Sequence, residues 1–373
     1  MRVAMSRDPS PPSPSFSPRG TSAKPVLYRV DAELPDASAI DLAGSVLRHG
    51  GLVAFPTETV YGLGANALSD RAVRGIYEAK GRPSFNPLIV HVLDLAAAME
   101  LSREVPDVAR ALAAAFWPGP LTLVLRRRPV VPDVVTAGLD TVGVRAPSHP
   151  VARALIAAAR VPVAAPSANR YTRVSPTTAE HVVRQLGRSV DIVLDAGATE
   201  VGIESTVLDV SGPRPVILRP GSVTRAAIES VVGAIDVSAG APARGSTPRP
   251  SPGMDERHYA PSARLIPFDG ADARGAARQL QSLRAAGGRV GLVLRTVRGL
   301  RGDCTLLLPP DPAGYARALY AALHELDEAR CAVALVERVP DDGEWAGVAD
   351  RLRRAGVQAA GAETRVEEGT RGG

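Results

Sequence analysis

Cysteine is almost missing from this chain: Cys304 and Cys331 are the only two among 373 residues, far apart and without a Cys-x-x-Cys or Cys/His cluster around either. That excludes a disulfide framework, gives no zinc or other metal site, and suits a reduced cytosol. Long apolar runs are missing too. The stretch from Val151 to Pro166 is broken by Arg153 and Arg160, well short of the ~20 residues of a membrane span, so a soluble protein with no membrane contact is expected. The N-terminus has no apolar segment of the secretory kind, which makes the cytoplasm the expected location. Dense basic runs are absent: 44 basic against 39 acidic residues leave a net charge of +5, as compatible with a small polyanionic substrate as with nucleic acid. Five phenylalanines are few for the stacking platforms that single-stranded RNA needs, which disfavours an RNA-binding module.

Lysine and asparagine are scarce. Of the 44 basic residues only Lys24 and Lys80 are lysines, and Asn66, Asn86 and Asn169 are the only asparagines. In a chain that has drifted toward arginine, a retained lysine is a candidate for a role arginine cannot fill.

Residues 1–23 are rich in Pro, Ser and Arg and are expected to form a disordered tail. From residue 24 to 237, short apolar runs (Leu52 to Phe55, Leu88 to Val92, Leu121 to Leu125, Val142 to Val144, Val161 to Ala165, Ile192 to Leu194, Thr206 to Val210, Val216 to Leu218) alternate with helical spacing such as Ala72, Val73, Ile76, Tyr77. That predicts an α/β domain. A Pro/Gly/Ser-rich stretch within 238–261 reads as a linker, 262–358 as a second and smaller α/β domain, and 359–373 as a frayed tail.

The densest concentration of chemistry runs from Leu52 to Val92. A strand is expected to lead into a polar turn, Pro56-Thr57-Glu58-Thr59-Val60-Tyr61-Gly62-Leu63-Gly64-Ala65-Asn66, then a helix, then Lys80-Gly81-Arg82-Pro83, and finally a strand carrying His91. Polar and basic turns at strand ends describe a ligand pocket, with Gly62 and Gly64 either admitting a ligand or making a tight turn. Lys80 and Arg82 can face one anion or cap the preceding helix. No Gly-x4-Gly-Lys-Ser/Thr loop is present. Ala164-Ala165-Pro166-Ser167-Ala168-Asn169 follows a further apolar run and offers uncharged donors; Arg145, Glu204-Ser205-Thr206 and Arg219-Pro220-Gly221 mark other strand ends. A cation or hydroxyl recurring at several strand ends points to one shared pocket.

Lys80-x-Arg82 with Ser167-x-Asn169 resembles the signature pair of the YrdC-type threonylcarbamoyl-AMP synthases. FPTETVYGLG (55–64), NPLIVH (86–91), WPGPLT (117–122), VGVRAP (142–147), APSAN (165–169), ESTVLD (204–209) and LRPG (218–221) look like that family in order and spacing, across about residues 26–235. Ser251-Pro252-Gly253-Met254 and His258-Tyr259-Ala260-Pro261 resemble the long, two-domain form. The resemblance implies a twisted, mixed, open sheet with helices, followed by a smaller Rossmann-like α/β domain. Gly343-Glu344-Trp345-Ala346-Gly347 departs from the Gly-Leu-Gly-rich start usual for the last helix and leaves the packing of the second domain open.

The activity implied is formation of threonylcarbamoyl-AMP and pyrophosphate from L-threonine, bicarbonate and ATP, for the threonylcarbamoyladenosine modification of tRNA. The resemblance assigns catalysis to Lys80 and Arg82. It assigns ATP to Arg82, Asn86, Thr141, Ser167, Asn169, Ser175, Arg219 and Tyr259, and threonine to Thr59, His91, Arg145, Ala165 and Ser205. Mg²⁺ is expected to accompany the nucleotide, held by few protein ligands and with no tightly bound organic cofactor. Downstream tRNA threonylcarbamoyl transferase proteins are the implied partners, with room for a weak contact with tRNA. Carbamoyl transfer of the hydrogenase-maturation kind uses a similar domain, but would be expected to bring acylphosphatase and zinc-finger-like segments that this chain lacks.

Overall fold

β-branched and leucine-rich runs bounded by Gly and Pro do pair into sheets. The computed structural model describes residues 24–238, 248–253 and 257–357; the tails expected at 1–23 and 359–373, and residues 239–247 and 254–256 of the linker, lie outside the described residues. The first eleven strands are β1 (Val26–Arg29), β2 (Val53–Pro56), β3 (Tyr61–Asn66), β4 (Ile89–His91), β5 (Leu121–Arg126), β6 (Thr141–Arg145), β7 (Val163–Ala164), β8 (Ile192–Asp195), β9 (Thr206–Asp209), β10 (Val216–Arg219) and β11 (Asp236–Val237). They form one mixed sheet in the order β1-β8-β2-β3-β7-β4-β6-β5-β9-β10-β11. Successive residues of β2 serve opposite faces, as the strand period requires. Val53 and Phe55 pack with residues of the helices Ala37–Arg48 and Pro150–Ala159, whereas Ala54 packs with Ile76 and Val182 from the helices Asp70–Lys80 and Ala179–Leu186.

The polar turn expected from Pro56 through Asn66 is shorter than that. Residues 57–60 make the reversal, closed by Thr57 Oγ1 donating to the Val60 carbonyl at 2.6 Å. Tyr61–Asn66 is a strand, antiparallel to β2 and almost wholly buried. Gly64 is required by packing rather than by a turn: a Cβ there would lie 2.8 Å from a Phe55 ring carbon and 2.9 Å from Val163 Cγ1.

The remaining strands, β12 (Arg264–Phe268), β13 (Val290–Leu294), β14 (Cys304–Leu307) and β15 (Val333–Glu337), form a second sheet, all parallel, in the order β12-β15-β13-β14. The two regions share a hydrophobic cluster in which Val60, Val174, Ile203 and Tyr259 meet Leu319, Tyr320, Val348 and Leu352. Small residues permit the approach. A Cβ on Gly202 would come within 2.4 Å of Arg317 Cα, and one on Gly347 within 3.0 Å of the Gly221 carbonyl. The unusual 343–347 segment therefore still carries a glycine at one of the close approaches of the seam.

Replacing Gly64 with Val should lower the unfolding free energy by about 1–3 kcal/mol. Gly212→Ala, where the added carbon meets nothing within 4 Å, should change it by less than about 0.5 kcal/mol. Denaturant unfolding of the two variants checks both.

Candidate active site

Ser69 caps the helix Asp70–Lys80 at its start, and Gly81, at φ 61°, ends it in the left-handed region. Gly81 is thus the helix cap, and Lys80 is free for another task. Its Nζ donates to the carbonyls of Ser167 and Asn169, pinning the second signature loop from below. Burial, with the charge of Arg82 beside it, pushes the Lys80 ammonium well below its ordinary range, and Glu204 partly opposes this. Past the turn, Arg82 donates to the Pro87 carbonyl at 3.0 Å and lies 5.9 Å from the Tyr171 ring centre.

Strands β4 and β6 run parallel with His91 opposite Arg145, so one sheet position supplies both. The Arg145 guanidinium lies 2.6 Å from Glu58, donates to Thr59 Oγ1 at 2.9 Å and reaches the Gly119 carbonyl at 3.2 Å. Burial, and then the charge of Arg145, pulls His91 down to about 3, which keeps the imidazole neutral; its Nδ1 is buried without a hydrogen-bond partner. From β10, Arg219 donates to the Ser205 carbonyl through Nε (3.2 Å) and Nη2 (3.0 Å), and to the Pro252 carbonyl of the linker through Nη1 (3.1 Å). Ser205 Oγ lies 2.8 Å from Thr122 Oγ1.

These groups border one narrow cleft of about 50 Å³. Thr59, Arg82, His91, Arg145, Ala165, Ser167, Ser205, Arg219 and Tyr259 line it, together with Glu204, Gly253 and His258. Thr141 lines an adjoining recess of about 10 Å³ that shares Ile89 and Pro252 with the cleft. Lys80, Asn86, Asn169 and Ser175 are not on the cleft wall. Asn86 donates to the Tyr171 hydroxyl at 2.8 Å, and Asn169 donates to the carbonyls of Arg170 and Arg173 while its Oδ1 is buried without a partner. Ser175 donates to Glu204 at 2.5 Å and is fully buried. A larger cavity, about 1310 Å³, lies between Pro220, Arg225, Arg264 and Arg353. None of Lys80, Arg145 or Ser167 lines it, so the convergent chemistry belongs to the smaller cleft.

Two acids matter that composition did not single out. In the sequence Glu58 is only one member of a polar turn; its partner, Arg145, stands 87 positions later, and nothing local announces the pair. Glu204 would be raised by burial, but Arg351 and Arg219, with the Ser175 hydrogen bond, outweigh this and hold it down to about 2.

The cleft's donors are chiefly hydroxyls and cations, and the oxygens of its one lining carboxylate, Glu204, are taken by Ser175, Tyr320 and Arg351. That set does not fit a divalent cation held by the chain itself. Among the described residues no group of three or more His, Cys, Asp or Glu could hold a metal ion, and no helix is long and apolar enough to cross a membrane.

Two family models match this chain: one described as Telomere recombination (Sua5, YciO and YrdC) over residues 45–221, and one described as Threonylcarbamoyl-AMP synthase, C-terminal domain, over residues 223–357. The threonylcarbamoyl-AMP synthase of Pyrococcus abyssi is 43% identical over 320 residues, covering 85% of this chain and 93% of that protein. That of Bacillus subtilis is 42% identical over 329 residues, covering 84% and 91%. The chain belongs to the threonylcarbamoyl-AMP synthase family. Crystalline P. abyssi Sua5 in complex with L-threonine is similar in fold as well, with a TM-score of 0.84, 41% identity, and coverage of 89% of this chain and 97% of that one. The mixed sheet with helices and the second parallel sheet of this threonylcarbamoyl-AMP synthase family member are therefore those expected.

Glu204 generates an acid-stability prediction. Its carboxyl is depressed from an ordinary 4.5 to about 2, so its contribution to stability is complete above pH 4.5 and is lost as the pH falls toward 2. Glu204→Gln should flatten that acid limb. It should also lower stability at neutral pH by about 3–5 kcal/mol, because Arg351 is left buried without its charge partner; denaturant melts between pH 2 and 7 measure both effects.

Proposed function

We propose that this chain condenses L-threonine, bicarbonate and ATP into threonylcarbamoyl-AMP and pyrophosphate. The observation that carries this reading is the meeting of Arg145, Ser167, Ser205 and Arg219, drawn from four separate strand ends, with Arg82 from the turn after the helix Asp70–Lys80, on one cleft with Lys80 directly beneath it. Its catalytic region is residues 24–237, its linker and lid 238–261, and its Rossmann-like region 262–358.

Threonine's amine condenses with bicarbonate, losing water, to a carbamate, whose oxygen attacks the α-phosphate of ATP and expels pyrophosphate. No protein nucleophile is needed; the work is positioning and charge stabilisation. Arg145, held by Glu58, Thr59 and Gly119, is preset to pair with the threonine carboxylate. Neutral His91 offers an acceptor beside it, and Thr59, Ala165 and Ser205 shape the rest of that end. Arg82 and Arg219 carry the triphosphate and the charge that develops as pyrophosphate leaves, with Lys80 backing them from beneath the Ser167 loop. Lys80 and Asn169 hold the Ser167 loop against the nucleotide, with Asn86, Thr141 and Ser175 supporting that end. Mg²⁺, where it accompanies ATP, is bound by the phosphates and enters as part of the substrate.

A cleft of about 50 Å³ is well under the roughly 300 Å³ of ordinary ligand sites. The Pro252–Gly253 and His258–Tyr259 segments that border it must move aside for ATP to enter, and their return shields a water-sensitive adenylate. The product passes in the cytoplasm to a transferase that acts on tRNA.

Purified protein given ATP and bicarbonate should release pyrophosphate when threonine is present and far more slowly with serine or no amino acid. Threonine-independent release would remove the substrate assignment, and salt-sensitive RNA binding without turnover would favour a binding module. Arg145→Lys should raise KM for threonine about 10- to 100-fold while KM for ATP stays within about threefold, since an ammonium cannot reproduce the two-pronged contact. Lys80→Ala should abolish most turnover; undiminished turnover would reduce Lys80 to a loop support.

A further inference from the structure

The last helix, Ala346–Arg354, sends a wholly buried arginine into the first region. Arg351 Nε donates to the Glu204 carboxylate at 2.8 Å, Nη2 to the Glu204 backbone carbonyl at 3.1 Å, and Nη1 to the Pro220 carbonyl at 2.8 Å. Glu204 directly precedes Ser205, and Pro220 directly follows Arg219. One guanidinium therefore grips the two peptide segments that present Ser205 and Arg219 to the cleft. The third wall element is tied to the same group, since the Tyr259 ring centre lies 5.3 Å from the Arg351 guanidinium carbon and Tyr259 stacks on Tyr320, which itself donates to Glu204 at 2.9 Å.

Resting on the reading that this cleft makes threonylcarbamoyl-AMP, we propose that Arg351 is a positioning residue for the reaction: by clamping residues 204 and 220 it sets Ser205, Arg219 and Tyr259 in place, so that the second region completes the active-site wall. A purely structural seam would not need this arrangement. Leu319, Val348 and Leu352 already bury apolar surface there, and an arginine buried in their midst requires every donor matched. A lysine could keep the charge but could not span both carbonyls and the carboxylate.

The groups facing Glu204 define a signature in pH. Arg351 comes from the last helix, Arg219 from β10, Tyr320 from the helix Pro312–Glu328 and Tyr259 from the linker, with Lys80 acting from beneath and Asp350 beside Arg351. With Arg351 in place, the carboxylate stays ionised at any working pH. Without it, burial raises Glu204.

The test compares the full-length native chain with Arg351→Lys, Arg351→Met and Tyr320→Phe, following ATP binding by calorimetry and threonine-dependent pyrophosphate release from pH 5 to 8. Arg351→Lys and Arg351→Met should raise Kd and KM for ATP about tenfold. Arg351→Met should add an acid limb to the rate that Glu204→Gln removes in the same background. Should the Met variant fail to fold, Tyr320→Phe, which leaves no buried charge unpaired, should move both constants about threefold in the same direction. Native constants in Arg351→Lys and Tyr320→Phe overturn the proposal alone. A native chain that binds ATP but releases no pyrophosphate removes the catalytic reading, and the ATP affinities of the variants then decide whether Arg351 shapes the cleft. A native chain that does neither removes both.

Discussion

Bringing Lys80, Arg82, Arg145, Arg219 and Arg351 out of water around one cleft is the constraint to which the rest of this fold answers. Each is buried, and a buried cation without partners costs several kcal/mol. The chain meets that cost almost entirely with backbone carbonyls of loops at strand ends, namely those of Ser167, Asn169, Pro87, Gly119, Ser205 and Pro220, and with the carboxylates of Glu58 and Glu204. The loops are thereby fixed in position by the same side chains that the proposed chemistry uses. A substrate anion would meet guanidinium groups that are already oriented, which is how electrostatic preorganisation lowers a barrier without reorganisation.

The mixed sheet is what lets distant segments meet. Parallel pairing of β4 with β6 sets His91 opposite Arg145, and β5 with β9 sets Leu121 opposite Thr206, beside Ser205. Antiparallel pairing of β2 with β3 then carries the Thr57–Thr59 reversal to the same end. The second region enters this arrangement through its last helix and through the linker, whose Pro252 carbonyl accepts from Arg219 and whose Tyr259 is almost fully buried. The contacts that join the two regions therefore share residues with the cleft wall, Tyr259 and Glu204 among them.

Much of this was legible in the chain. Runs such as Ile192 to Leu194 and Val290 to Leu294 carry strand character in their own composition, whereas scarcity points to Lys80, Asn66, Asn86 and Asn169 alike, none of which lines the cleft, although Lys80 holds the Ser167 loop beside it. What was illegible depends on partners distant in sequence. Tyr61–Asn66 hides its strand behind Gly62 and Gly64, which look like turn residues until Phe55 and Val163 are seen packed against them. Lys80 looks like a helix cap until the loop at 167–169 lies over it. Glu58 and Arg351 gave no local signal, because the meaning of a buried charge lies in its counter-charge: 87 positions away for Glu58, and 147 for the Arg351 to Glu204 contact. Short-range pattern reports elements and turns; it does not report which charges will share a cavity.

The most direct test of the central claim is a crystal structure of the chain with L-threonine and a non-hydrolysable ATP analogue. The account predicts the threonine carboxylate on Arg145 and the triphosphate on Arg82 and Arg219, with nitrogen to oxygen distances of about 2.7–3.2 Å, Lys80 still behind the Ser167 loop, and the linker displaced from its present contact with Arg219. Ligand density in the larger cavity between Arg225, Arg264 and Arg353, with the cleft around Arg145 still closed, would contradict it.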